Sequence, residues 1–163
     1  MSEVSIDEKD AKYMRQAIAW SVTARERGNR PFGAVVVDAQ GHVLAEAYCN
    51  TTETGDCTGH AETNAVRMLS PKVSREVLAG ATIYSSGEPC VMCAGAIFWS
   101  NIRRVLYGID AVSLRVFRGE RQEQKDAELS CRDVFAASPH HIECIGPVLL
   151  EEASAPHVGA WKV

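Results

Sequence analysis

His60-Ala61-Glu62 and, further along, Pro89-Cys90-Val91-Met92-Cys93 are the two stretches on which the reading of this chain turns. One imidazole and two thiolates are a recognised donor set for a catalytic zinc ion, which takes three protein ligands and keeps a fourth tetrahedral position for water. Cysteines at i and i+3 project from one side of a helical turn, so a helix starting near Cys90 aims both sulfurs at one point. Pro89 suits that start, because the first turn of a helix has no use for its N–H. The partial positive charge at the same helix end lowers thiol pKa values and favours the thiolates that hold a metal.

Glu62 follows the histidine by two residues, and Ala65, Val66 and Leu69 continue with helical spacing. A carboxylate placed there projects beside the ligands without joining them. It can take a proton from an activated water and pass it to a leaving group. Read singly, each half has a plainer explanation: Cys-x-x-Cys also serves redox pairs and structural zinc, and His-x-Glu alone means little. A structural zinc site needs a fourth ligand, and no second Cys-x-x-Cys or paired histidine offers one at a usual spacing.

Together the two stretches resemble the cytidine deaminase-like zinc deaminases, which carry His-x-Glu followed by Pro-Cys-x-x-Cys. Gly87 to Ala96 and Arg30-Pro31-Phe32-Gly33-Ala34-Val35 are similar to the branch that holds tRNA adenosine deaminases, guanine deaminases and fungal-type cytosine deaminases. The resemblance runs from residue 8 to residue 110. It implies a three-layer α/β/α fold around a mixed central sheet of about five strands. It also implies one Zn2+ per chain with a bound water, held by His60, Cys90 and Cys93. Glu62 is then the proton carrier of a hydrolytic deamination that releases ammonia.

The same resemblance assigns a pocket. Phe32 would lie against the base and Asn50 would hydrogen-bond to it, although a core Phe and a turn-forming Asn are the plainer readings. Gly59 and Ala61 flank His60, and backbone near Gly59 and from Glu88 to Cys90 would supply donors for the tetrahedral intermediate. Phe98-Trp99 resembles the aromatic pair of bacterial guanine deaminases, which makes Trp99 either a substrate contact or a core or interface aromatic. Trp161 resembles the aromatic tail that closes over a pocket in guanine deaminases, and is equally readable as a surface tail or dimer contact. Asp56-Cys57-Thr58-Gly59 departs from the Asp-Pro-Thr-Ala common in the family, and Ala111 to Gly119 lacks the acids with which guanine deaminases read the purine.

Composition sets the remaining limits. At 163 residues and 46% apolar content, a single domain over 1–163 with one sizeable core is expected. Seventeen Lys and Arg against 21 Asp and Glu leave a net charge of −4, and no long basic run appears. Nucleic acid calls for a cationic face, so a small-molecule nucleobase or nucleoside is the expected substrate and no nucleic acid the expected partner. The polar start and the lack of a long apolar run predict no membrane association and a cytoplasmic protein. The six cysteines have no framework spacing and read as reduced thiols.

Periodicity places a helix over Ala11, Met14, Ala17, Ile18 and Val22, ending near Gly28. Strands follow at Phe32–Val37 and Val43–Tyr48, paired as a hairpin, then a polar loop from Thr51 to Gly59 and a helix from His60 to Leu69. Ala81–Ser85, a helix over Cys90–Trp99, and Val105–Gly108 read as strand, helix and parallel strand. Gln122–Phe135 reads as a solvated helix or ordered loop, and Ile142–Ile145 as the fifth strand. The substrate order is guanine-like first and cytosine-like second, with a tRNA adenosine deaminase as runner-up and a catalytically silent zinc-binding partner subunit behind it. A homodimer is expected, as is common in this branch.

Overall fold

The computed structural model describes residues 2–119 and 127–161. Its strands are β1 (Gly33–Val37), β2 (Val43–Tyr48), β3 (Thr82–Gly87), β4 (Arg104–Ile109) and β5 (Glu143–Ile145). They form one mixed sheet in the order β2-β1-β3-β4-β5. β1 runs antiparallel to both β2 and β3, whereas β3, β4 and β5 are parallel.

The helices are α1 (Glu8–Glu26), α2 (Thr51–Thr54), α3 (Ala61–Leu69), α4 (Arg75–Ala79), α5 (Val91–Ser100), α6 (Ala111–Arg118), α7 (Cys131–Ala136) and α8 (Leu150–Ser154). A 3₁₀ turn over Ala155–His157 follows α8. One face of the sheet presents Ala34, Val36, Ile83 and Val105 to α3, α5 and α7. The other presents Val35, Val37, Tyr84 and Leu106 to α1, α6 and α8. The two-residue period of a strand produces this alternation, and the resulting three layers are the expected α/β/α arrangement.

α1 begins because Asp7 accepts the Asp10 N–H, and its apolar stripe buries Met14, Ala17 and Ile18 against the sheet. Burying a side chain the size of Met or Ile stabilises by about 1.5–3 kcal/mol. β1 lies so close beneath α1 that a Cβ on Gly33 would run into the α1 backbone at Ala17. Buried Asp10 receives both Nη groups of Arg104, at 2.9 and 2.7 Å, and the Tyr84 hydroxyl at 2.6 Å, which pins α1 to β3 and β4.

Three segments differ from the sequence reading. The stretch expected to be a loop from Thr51 to Gly59 carries the single-turn α2, whose Glu53 accepts Arg27 and Asn29. Ala111–Arg118, given no element from sequence, is a helix capped by Asp110, which accepts the Ser113 N–H at 3.2 Å. Within Gln122–Phe135, residues 122–126 lie outside the described residues, and α7 is a core helix rather than a solvated one. Ser130 caps it, and Cys131 and Phe135, four residues apart, are buried in the cluster beneath α5. Among the described residues no helix is long and apolar enough to cross a membrane.

Candidate metal centre and active site

Two helices begin at one place. His60 is the N-cap of α3 and Cys90 the N-cap of α5, both in extended backbone, and α3 packs against α5. β3 delivers the second of them, since the chain leaves that strand at Gly87 and turns through Pro89 into α5. The sulfurs of Cys90 and Cys93 lie 3.5 and 3.6 Å from His60 Nδ1, and all three donor atoms fall within 4.8 Å of one another. A tetrahedral zinc with Zn–S of about 2.3 Å and Zn–N of about 2.05 Å sets N and S about 3.6 Å apart. The three side chains therefore fit zinc without rearrangement.

The local electrostatics agree with that fit. The thiol of Cys93, with His60 beside it, holds the Cys90 thiol down to about 4, so Cys90 is a thiolate at neutral pH. Cys93 is pushed up by its contact with Cys90 and by burial, as expected of two thiols sharing one site without a cation. Cys90 in turn raises the His60 imidazole. Glu62 lies in the first turn of α3 and is 5% exposed. Burial, and then the Cys90 charge, raise its carboxyl above the usual range, which suits a group that must both take and return a proton.

In front of these groups lies a small cavity of about 50 Å³. Its walls include Phe32, Glu62, Leu114, Arg118, Arg30 and Trp161. The sequence pattern characteristic of the cytidine and deoxycytidylate deaminase zinc-binding region matches residues 7–109, the span that holds all three candidate metal ligands and Glu62. The chain belongs to the cytidine and deoxycytidylate deaminase family.

This deaminase is 41% identical over 161 residues to the probable cytosine deaminase of Schizosaccharomyces pombe, covering 99% of this chain and 98% of that one. It is 42% identical over 96 residues to a tRNA-specific adenosine deaminase of Agrobacterium fabrum, covering 59% and 62% of the two chains. The guanine deaminase of Bacillus subtilis is 40% identical over 80 residues, covering 49% and 51%. A solved structure from work on A-to-I editing by tRNA:A34 deaminases overlays with a TM-score of 0.68 at 32% identity, covering 90% of this chain and 99% of that one. The guanine deaminase of Nitrosomonas europaea overlays with a TM-score of 0.74 at 19% identity, covering 96% and 86%, and shares the fold. The deaminase is accordingly a zinc-dependent hydrolase.

The other residues singled out from sequence fall in different places. Phe32 lines the cavity, edge-on to His157 at 5.2 Å and to Trp161 at 6.1 Å. Trp161 lines it too, with the Arg30 guanidinium 5.4 Å from its ring centre. Asn50 is not among the cavity walls; its Oδ1 accepts Asn64 Nδ2 at 3.0 Å, and a Cβ on Gly59 would strike that same oxygen. Ala61 is fully buried at the start of α3.

Two expectations need correction. Trp99 sits in the last turn of α5, 75% exposed and edge-on to Phe98, outside the cavity, because α5 runs away from the metal ligands at its start. The N–H of Gly59 donates to Asp56 O at 3.0 Å and that of Glu88 to Ile109 O at 2.8 Å, so both are committed to the fold rather than to a substrate.

Arg30, Leu114 and Arg118 were not picked out from sequence as site residues, and Glu88 only for its backbone, yet all four line the cavity. Glu88 links two elements, since its Oε2 accepts the Ala111 N–H at 2.6 Å and so ties the start of α5 to the start of α6. α6 then brings Leu114 and Arg118, four residues apart, to one wall. The available signal was the Asp110-x-x-Ser113 cap followed by that i, i+4 pair.

Proposed function

We propose that this deaminase acts on a free nucleobase, with an aminopyrimidine such as cytosine preferred over an aminopurine such as guanine. The observation that carries this reading is the extent of similarity. The probable cytosine deaminase of S. pombe matches over 161 residues, so the match takes in α6 and the tail that supply Leu114, Arg118 and Trp161. The guanine deaminase match covers half the chain, and α6 offers no acid to read a purine. This reverses the order drawn from sequence alone.

In the proposed reaction His60, Cys90 and Cys93 hold the zinc ion. Bound there, zinc supplies a Lewis acid that makes water nucleophilic at neutral pH. Glu62 takes the proton that the attacking water loses. It gives that proton to the ring nitrogen next to the amine-bearing carbon, then takes the second proton from the added hydroxyl and gives it to the departing amino group, so that base and water become the oxo base and ammonia. Ser85 steadies that carboxylate at 2.9 Å, and the Phe32 and Trp161 rings supply an apolar wall for a flat ring.

A tRNA adenosine deaminase is the second reading, supported by the 42% identity over 96 residues. The net charge of −4 and a cavity walled by the C-terminal tail favour a small substrate instead. The retained Glu62 speaks against a silent zinc-binding subunit. The homodimer stays a proposal, and size exclusion at a single-chain mass would remove it. The substrate reading is tested by kcat/KM for cytosine, guanine, cytidine and an adenosine-containing tRNA anticodon stem: cytosine should lead, and a lead by the anticodon stem would replace this reading.

A further inference from the structure

The tail wall of the cavity is organised by a residue that does not touch the cavity itself. His157, in the 3₁₀ turn, is 0% exposed. Its Nδ1 lies 3.1 Å from Trp161 Nε1, and the two rings stack 6.0 Å apart at 11°. An indole nitrogen can only donate, so Nδ1 accepts and the imidazole proton sits on Nε2. Nε2 is buried and meets no partner among the described residues.

Leaving a buried donor unsatisfied costs stability. A phenylalanine could fill the same aromatic nest, edge-on to Phe32 at 5.2 Å and near Phe117 at 6.2 Å, without that cost. What the imidazole adds is one acceptor aimed at Trp161. Arg25 holds the segment on either side of it, donating to the carbonyls of Pro156 at 3.0 Å and Val158 at 2.7 Å. Trp161 is thereby fixed between His157 and the Arg30 guanidinium, with its edge toward Phe32.

We infer that His157 is the positioning residue for Trp161, which it locks across the cavity so that a flat base is held and a base carrying a sugar is rejected. The substrate half of this statement rests on the free-base reading above; the positional half does not.

The test uses the zinc-loaded full chain with Trp20→Phe and Trp99→Phe, which leaves Trp161 as the single indole. His157→Phe keeps the ring and removes the acceptor, whereas His157→Asn places Oδ1 where Nδ1 stood. His157→Phe should red-shift Trp161 emission and raise its acrylamide quenching. It should also raise KM for cytosine roughly 2–10-fold, the range of one net hydrogen bond, with a smaller change in kcat and a higher cytidine-to-cytosine kcat/KM ratio. His157→Asn should restore all of these toward the parent. Emission, quenching and KM unchanged in His157→Phe would overturn the assignment. So would equal losses in the Phe and Asn variants that follow their melting temperatures, the signature of a merely structural role. Should His157→Phe not fold, Trp161→Phe removes the same bond from the donor side, and an unchanged KM there also overturns it. If no free base is turned over, the substrate reading fails while the emission measurement still decides the His157–Trp161 relationship.

Discussion

Ser85 Oγ lies 2.9 Å from Glu62 Oε1 and 2.6 Å from the carbonyl oxygen of Gly87. The Ser85 hydroxyl sits between the two oxygens, so it links the Glu62 carboxyl to the end of β3, the strand that also leads to the candidate metal ligands. Its role is orientation. Ser85→Ala should lower kcat about 10-fold, the worth of one hydrogen bond to a charged group, at unchanged zinc content. Steady-state kinetics beside metal analysis check this, and an unchanged kcat would remove Ser85 from the account.

Metal and function should be lost together. The wild-type chain should carry one zinc ion, chelation should abolish turnover, and added zinc should restore it. Cys93→Ser should bind substoichiometric zinc, because the Cys93 sulfur is buried 3.6 Å from His60 Nδ1 and a serine hydroxyl is a far poorer zinc ligand than a thiolate. Metal analysis of the purified variant, finding a full equivalent, would contradict the ligand set.

The Asp10–Arg104 pair should be the costliest polar contact to break outside the site. Arg104, then Tyr84, hold the Asp10 carboxyl below its usual range against the effect of burial. Arg104→Met strands that carboxylate and should destabilise by roughly 2–3 kcal/mol, less than for a fully buried pair because Arg104 keeps some solvent contact. Urea unfolding of the variant reads this directly, and a cost below about 0.5 kcal/mol would place the pair with ordinary surface pairs.

His157 gives stability a pH dependence of known sign. Burial, and then the Arg25 charge from α1, lower its pKa from 6.5 to about 4. Arg30, across the Trp161 ring, is a further cation on that side. Between those values the unfolded chain binds the proton and the folded chain does not. The stabilisation is therefore complete above the unfolded value, declines as pH falls toward the folded one, and changes no further below it. The full effect is about 3 kcal/mol, of which about 2 kcal/mol falls between pH 6.5 and pH 5. Urea midpoints at pH 7 and pH 5 should fall further for wild type than for His157→Phe, and equal falls would refute the assignment.

The parts of the molecule legible in the sequence were those set by local rules. The i, i+3 cysteines, the helical spacing behind Glu62 and the β-branched run of β1 each announce their structure within a few residues, and the sheet followed from them. α6 was missed because it starts at Ala111, just past the end of the resemblance, and its exposed Val112 and Val116 blur the apolar stripe that would mark a helix. Trp99 was offered as a substrate contact on the resemblance of Phe98-Trp99 to an aromatic pair, but α5 carries it away from Cys90 along the helix axis. His157 and Trp161 lie far in sequence from Phe32, and only the packing of the tail on α1 brings the three rings together. Such long-range contacts leave no periodic trace in a single chain.

Glu62, beside a zinc ion held by His60, Cys90 and Cys93, is the proposed proton carrier in deamination of a free base. The measurement that tests this role most directly is ammonia release from cytosine by the zinc-loaded protein and by Glu62→Gln at equal zinc content. The wild type should turn cytosine over, and the variant should lose roughly 10²–10⁴-fold of that rate. Turnover that survives in Glu62→Gln would contradict that role.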